Sequence, residues 1–226
     1  MDRTDVLRNL SDIRVAIAAA ASRSGRDPAL ITIVAAAKSV PIEAVRWVVD
    51  AGITTVGENY VAELRAKAQA LPEAKWHFIG TLQRGTAHHV ADLAAVVQTV
   101  SGEGALRRLA GRAARSGKTL DVLIEVDFTT ERSGVKPEEL PAAASLVASL
   151  EGVRLTGLMT LPPVPTTPED ARPYFQKLRD LRDDLQGTNP EVLELSMGMS
   201  LDYAIAVEEG ATMVRIGTAL FGPRTT

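Results

Sequence analysis

The sequence predicts an α/β protein, because short apolar segments alternate with segments that have the apolar spacing of helices. Eight candidate strands are found, at residues 31–37, 53–56, 76–79, 94–100, 120–126, 155–159, 192–195 and 213–216. No linker or change in composition divides the 226 residues into two domains. Eight alternating units at this length predict a single (β/α)8 TIM barrel, and a doubly wound open sheet is the weaker alternative.

The first candidate strand, residues 31–37, is a nearly continuous apolar run, which is typical of a strand buried on both faces of a parallel sheet. Helices are predicted from apolar residues three and four positions apart, with prolines near several starts and glycines at some ends. They span 41–51, 60–71, a segment ending near 93, 103–116, 138–150, part of 169–185, and 201–209. A further helix at 4–24 precedes the first strand, and we expect it to be a lid or a plug outside the repeat.

Composition excludes several classes of function. With 25 basic and 28 acidic residues, the chain has no basic field for nucleic acid or an anionic membrane. It has no cysteine and only three histidines, so too few of the usual ligands are present to favour a dedicated metal site. No apolar run approaches the ~20 residues of a membrane span, and the charged N-terminus does not resemble a signal peptide. We therefore expect a soluble, cytoplasmic protein.

Lys38 is the residue on which the functional interpretation depends. It ends the first apolar segment, where burial of an unpaired ammonium group would be costly. Partial desolvation would lower the pKa of this amine and favour Schiff-base chemistry. The alternative is that Lys38 simply extends into solvent from the end of the strand.

The loops after the seventh and eighth strands have the features of a phosphate site. TIM barrels often bind phosphate there, with backbone N–H groups and a helix start. The first loop, SMGMS at 196–200, precedes a helix, and Gly217 and Thr218 form the second. Glycine permits close backbone approach, and the hydroxyl groups can donate to phosphate. Together with Lys38, these loops suggest a phosphorylated carbonyl compound held as a Schiff base. Pyridoxal 5'-phosphate (PLP) fits best, and a phosphosugar intermediate fits less well.

Arg215 ends the eighth strand beside the second loop. It could form a salt bridge with Asp202 or Glu194. If it faces a pyridine nitrogen instead, its positive charge disfavours protonation of that ring and restrains carbanion chemistry. His77 could be structural or could face the barrel interior. A basic helical surface, which an anionic partner could use, comprises Arg107, Arg108, Arg112 and Arg115.

Six segments resemble the YggS/PROSC family of PLP homeostasis proteins, and they occur in the same order over nearly the whole chain. The segments are AAAKSV around Lys38, VGENY at 56–60, WHFIGTLQ at 76–83, GLMTLP at 157–162, LSMGMSLDYAIA at 195–206 and VRIGTALFG at 214–222. The last two are highly specific. The family's barrel is similar to the N-terminal domain of alanine racemase and of eukaryotic-type ornithine decarboxylase.

The resemblance implies a PLP Schiff base on Lys38, with Arg215 directed toward the pyridine nitrogen. It also implies phosphate contacts from Ser196 or Ser200, from Gly217 and from Thr218. The pocket would be lined by Asn59 and by Met197 or Met199. The family is regarded as controlling PLP supply without an established catalytic reaction, and it suggests a monomer.

The first hypothesis is therefore a non-catalytic PLP carrier or regulator that serves apo-PLP enzymes or metabolites. The second is an amino-acid racemase or lyase that depends on PLP. It is disfavoured because racemases of this kind use a second, β-rich domain, for which we expect no room before Thr226. A barrel that binds only phosphosugars is a third interpretation.

Two segments depart from the family pattern. Arg84, Gly85 and Thr86 follow Gln83, where the family has a short polar segment ending in Asn-Lys. Arg132 precedes Ser133 and Gly134, where the family has lysine. Both departures weaken the expectation of a second, lysine-dependent PLP site or of a transfer surface.

Overall fold

Eight parallel strands form a closed barrel in the computed structural model, which describes residues 1–129 and 134–223. The strands follow one another in chain order, and the eighth pairs with the first. They are β1 Thr32–Ala36, β2 Thr55–Glu58, β3 Lys75–Phe78, β4 Val96–Val100, β5 Leu120–Val126, β6 Val153–Thr160, β7 Glu194–Ser196 and β8 Met213–Ile216. The prediction of a TIM barrel is confirmed, and the open sheet is wrong. Arg132 and Ser133 lie outside the described residues.

The helices surround this barrel. They are α1 Arg3–Arg23, α2 Ile42–Asp50, α3 Val61–Ala70, α4 Ala87–Leu93, α5 Glu103–Arg115, α6 Leu140–Ala148, α7 Arg172–Gln186, α8 Tyr203–Glu208 and α9 Thr218–Phe221. Short 3-10 turns occupy Pro28–Leu30, Pro137–Glu139 and Pro168–Ala171. The turn at 137–139 replaces the predicted first turn of the sixth helix, since Pro137 and Pro141 both lack an N–H donor. The sequence pattern does not predict α9.

The N-terminal helix α1 is neither a lid nor a plug. It lies in the outer layer, where it packs against α2, α8 and α9. Val6, Leu10, Ile13 and Ile17 recur every three or four residues and are buried on its inner face. The Asn9 amide donates to the Leu220 carbonyl at 3.1 Å, which ties α1 to α9. An N-terminal capping box formed by Asp2 and Asp5 starts the helix.

Two apolar layers stabilise the barrel. The larger layer lies between strands and helices and includes Phe78, Phe175 and Leu178. Val96, Leu123 and Met159 form a separate cluster, which the alternation of side chains along the strands assigns to the interior of the barrel. The barrel is thus a packed core. Among the described residues, no helix has both the length and the apolar character needed to cross a bilayer.

Candidate functional site

Lys38 lies in a turn that directly follows β1, at the carboxyl edge of the barrel. The turn spans residues 37–40 and is closed by the Val40 N–H, which donates to the Ala37 carbonyl at 2.9 Å. The Lys38 side chain is half-buried, and its Nζ lies 5.6 Å from the centroid of the Tyr60 ring. This distance is that of a cation–π contact. The amine is therefore directed toward the loop that follows β2.

The topology places Lys38 between two other candidate segments. Strand β1 pairs with β8 on one side and with β2 on the other, and Ala35 aligns with both Ile216 and Val56. A Cβ atom added to Gly217 would lie 3.4 Å from the Ala36 carbonyl oxygen. The ends of β8, β1 and β2 are thus adjacent at the edge where TIM barrels carry their active sites.

Arg215 is buried inside this edge, with only 4% of its surface exposed. Its guanidinium donates to Ser196 Oγ at 2.6 Å and to the Thr160 carbonyl at 2.9 Å. Burial lowers the pKa of Arg215 to about 10, and the negative charges of Glu125 and Asp202 oppose that shift. Glu194 instead accepts from the Thr212 hydroxyl. Arg215 is therefore a desolvated cation that is fixed by two neutral acceptors.

Ser196 links Arg215 to a hydrogen-bonded chain across the barrel interior. Its hydroxyl donates to Gln98 Oε1 at 2.7 Å, and Gln98 Nε2 lies 2.8 Å from His77 Nδ1. Because arginine can only donate, the Ser196 hydroxyl must accept a hydrogen bond from Arg215 and donate its own hydrogen bond to Gln98. The Gln98 amide group then donates to His77 Nδ1. The direction of the whole chain is therefore set by Arg215.

His77 is the neutral end of this chain. The ring is 1% exposed, and its Nε2 has no hydrogen-bond partner among the described residues. With Nδ1 accepting from Gln98, the ring proton belongs on Nε2. Burial, assisted by the charge of Lys75, lowers the pKa of His77 to about 3. The structure thus places His77 inside the barrel. It also brings Gln98 into the site, a residue that was not predicted although its side chain is the polar interruption in the apolar segment VVQTV.

The loop after β7 is joined to strand β8 by backbone hydrogen bonds. The Arg215 N–H donates to the Gly198 carbonyl at 2.9 Å, and the Met197 N–H donates to the Met213 carbonyl at 3.1 Å. Gly198 has a φ of 90°, and a Cβ atom there would lie 2.5 Å from Ala206 Cβ. Only glycine fits this conformation and this approach to α8. The structure thus requires glycine at this position for packing against α8, and the phosphate contact of this loop stays a prediction.

The residues of these two loops differ in accessibility. Ser196 and Met197 are fully buried, whereas Met199 and Ser200 are half-buried. Gly217 is half-buried and Thr218 is exposed. The Ser200 hydroxyl accepts from the Ala219 N–H at 3.0 Å, which links the loop after β7 to the start of α9. Ser200, Gly217 and Thr218 are therefore the members of this group that share an accessible edge.

Asn59 lies on the other side of Lys38, directly after β2. It is half-buried, and its side-chain amide donates to the Ile79 carbonyl at 3.4 Å. Gly80 allows this approach of two loops, because a Cβ atom there would overlap the Asn59 backbone. The structure therefore brings Asn59 to the same edge of the barrel as Lys38.

Other charged features lie apart from this edge. A cleft of about 1010 Å³ is lined by residues that include Asp127, Tyr174 and Lys177, and by none of the nine predicted site residues. On the predicted basic surface, Arg107 pairs with Glu103 and Arg112 pairs with Asp92. These pairs reduce the net positive charge of that surface.

Comparison with known proteins identifies the family. The model of the alanine racemase N-terminal domain matches residues 9–225. A pyridoxal phosphate homeostasis protein of Aquifex aeolicus is 40% identical over 220 residues, which cover 95% of this chain and 96% of the relative. The chain belongs to the family of pyridoxal phosphate homeostasis proteins. The resemblance drawn from the sequence is therefore confirmed.

Solved structures agree with this assignment. PipY of Synechococcus elongatus PCC7942, solved with PLP bound, is 32% identical, with a TM-score of 0.81. The match covers 91% of this chain and all of PipY. D-threonine aldolase from Filomicrobium marinum has a TM-score of 0.77 at 18% identity, and this chain covers 61% of it. That likeness shows a shared fold only.

Proposed function

We propose that this protein binds PLP, holds it as a Schiff base on Lys38, and acts in intracellular PLP homeostasis or carriage rather than in catalysis. The observation that carries the proposal is the position of the Lys38 amine at one barrel edge with buried Arg215 and the Gly198 and Gly217 loops. The Aquifex aeolicus relative and PLP-bound PipY support it.

The side chains at this edge fit such a cofactor. PLP bound here would supply an aldehyde, which condenses with a primary amine and releases water. Lys38 offers that amine, half-buried and beside Tyr60. Asn59 and Met199 are half-buried and would contact the pyridine ring. Met197 is buried and would support the loop after β7 from within the protein.

We assign the phosphate to Ser200, Gly217 and Thr218. These residues are accessible, and the hydrogen bond from the Ala219 N–H to Ser200 joins the two segments that carry them. Ser196 is a poorer candidate, because it is fully buried and its hydroxyl is used by Arg215 and Gln98. Ser196 would therefore act on the cofactor only through Arg215.

Arg215 favours holding over catalysis. Its guanidinium is buried, and two hydrogen bonds fix it in place. A cation facing the pyridine nitrogen disfavours protonation of that nitrogen. Because an unprotonated ring withdraws electrons less strongly, reactions that need a carbanion would be restrained.

A protein that holds PLP reversibly can release it to other proteins. We propose that apo-PLP enzymes are the recipients and that the protein works as a monomer in the cytoplasm. The half-buried position of Lys38 supports exchange, because the amine is accessible from the barrel mouth.

The test is a PLP titration followed by near-visible absorbance, with Lys38→Arg and the exposed Lys118→Arg as a matched control. We expect a new band in the wild type and in Lys118→Arg, and its loss in Lys38→Arg. D- and L-amino acids should not be turned over by the highly purified protein. An equal band in Lys38→Arg would refute the Schiff base, and amino-acid turnover abolished by Lys38→Ala would refute the non-catalytic role.

A further inference from the structure

The turn that carries Lys38 is held from both sides by charged groups of α3. Lys67 Nζ donates to the carbonyl of Ala37, the residue before Lys38, at 2.7 Å. Glu63 Oε2 accepts from the N–H of Ser39, the residue after Lys38, at 2.9 Å. The two peptide groups that flank Lys38 are thus both bound to side chains of one helix.

These side chains belong to a cluster that also includes Glu58 at the end of β2. Lys67 donates to Glu58 Oε1 at 2.5 Å and to Glu63 Oε2 at 2.8 Å. Lys67 is 7% exposed, and Glu58 is fully buried. Buried ion pairs often stabilise a fold no more than apolar residues of similar size would. Stability alone therefore explains the cluster poorly, whereas its backbone contacts suggest a geometric role.

The backbone at Ser39 requires such support. Its φ is 60°, which makes it the one non-glycine residue with positive φ in the described ranges. Side chains with a Cβ atom adopt this conformation rarely, and it persists where neighbours fix it. Tyr60, Glu63 and Lys67 are spaced three and four residues apart, so they lie on one side of α3 and its first turn. That side faces the Lys38 turn through all three residues.

We propose that Lys67, Glu63 and Glu58 are positioning residues that set the direction in which Lys38 leaves its turn and thereby govern covalent capture of PLP. The inference rests on the proposed function, in which Lys38 is the Schiff-base lysine. Loss of the cluster would leave the amine intact but let the turn relax. Covalent capture would then weaken, while contacts to the phosphate and ring would remain.

The test compares PLP with pyridoxamine 5'-phosphate, which has an amine in place of the aldehyde and cannot form a Schiff base with lysine. The variants are Lys67→Met, the double variant Glu58→Gln/Lys67→Met, and the milder Glu63→Gln, which keeps the Lys67–Glu58 pair. The control is Arg172→Met, since Arg172 also binds three carboxylates, those of Glu169, Glu208 and Glu209.

We expect Lys67→Met and the double variant to weaken PLP binding at least tenfold and pyridoxamine 5'-phosphate binding less than twofold. In a Lys38→Ala background, Lys67→Met should change PLP affinity less than twofold. Arg172→Met should leave the ratio of the two affinities unchanged. Equal weakening of both ligands, or no weakening of either, would overturn the inference.

A measurement without cofactor separates this inference from the proposed function. The Ser39 amide should exchange its hydrogen at least tenfold faster in Glu63→Gln and in the double variant than in the wild type or Arg172→Met. Unchanged exchange would refute a role of the cluster in holding the turn. If the wild type did not bind PLP, the proposed function would be refuted. The exchange experiment would still decide whether the cluster positions Lys38.

Discussion

The buried histidine at the end of the interior chain predicts a specific dependence of stability on pH. His77 has a pKa of about 3 in the folded protein, because its ring is buried and the positive charge of Lys75 acts on it. In the unfolded chain its pKa is about 6.5. Between these values the unfolded chain binds a proton that the folded protein does not bind. Acidification below pH 6.5 therefore favours unfolding.

The magnitude follows from the difference between the two pKa values. At pH 5 the unfolded imidazole is about 1.5 pH units below its pKa, and each unit is worth about 1.4 kcal/mol. His77 alone should thus lower the free energy of unfolding by about 2 kcal/mol between pH 7 and pH 5. This loss should stop growing below about pH 3, where the folded ring also binds a proton.

The assay is urea unfolding at several pH values for the wild type and His77→Asn. Asparagine offers Gln98 an acceptor near the position of Nδ1 but does not titrate. The carboxylates are the same in both proteins, so the difference in pH dependence isolates His77. We expect the wild type to lose about 2 kcal/mol more than the variant between pH 7 and pH 5. Parallel curves would refute the buried, neutral histidine.

Three further predictions concern the loops and the core. Gly198→Ala should destabilise the protein by about 1–3 kcal/mol in urea unfolding, because Gly198 has a positive φ and closely contacts Ala206. Gly85 has open space around it, so Gly85→Ala should change stability little, and equal effects of the two variants would contradict the packing described. Phe175→Ala should cost about 3–5 kcal/mol, since this ring is fully buried, and a loss below about 1 kcal/mol would contradict its place in the core. Ser200→Ala should weaken PLP binding about tenfold in a titration, because about one hydrogen bond to a charged group is lost. Binding of pyridoxal, which has no phosphate, should be unchanged, and an equal loss of affinity for both ligands would exclude the phosphate contact.

The barrel could be predicted because its strands are buried on both faces and therefore read as apolar runs. Strand β2 was predicted two residues too early, at 53–56, and it actually includes Gly57 and Glu58. A buried glutamate does not fit an apolar pattern, and the partner that makes its burial tolerable, Lys67, lies on the next helix. The sequence pattern carries no sign of that pairing.

The candidate site was predictable only as far as position along strands determines it. Lys38, Asn59 and the two glycine loops follow strands, and Arg215 lies near the end of β8, so the topology alone brings them to one edge. Gln98 and His77 escaped assignment, since their role depends on hydrogen bonds across the barrel between strands distant in sequence. The same hydrogen bonds occupy the Ser196 hydroxyl, whereas Ser200 lies on the accessible edge. The sequence alone could not show this difference between the two serines.

The central claim is that Lys38 holds PLP covalently, and peptide mass after borohydride reduction of the PLP-treated protein tests it most directly. Borohydride converts a Schiff base into a stable secondary amine. We expect the peptide containing Lys38 to carry the reduced phosphopyridoxyl group, while the peptides containing Lys67 and Lys118 remain unmodified. An unmodified Lys38 peptide, with the group on another lysine or on none, would refute covalent binding of PLP at Lys38.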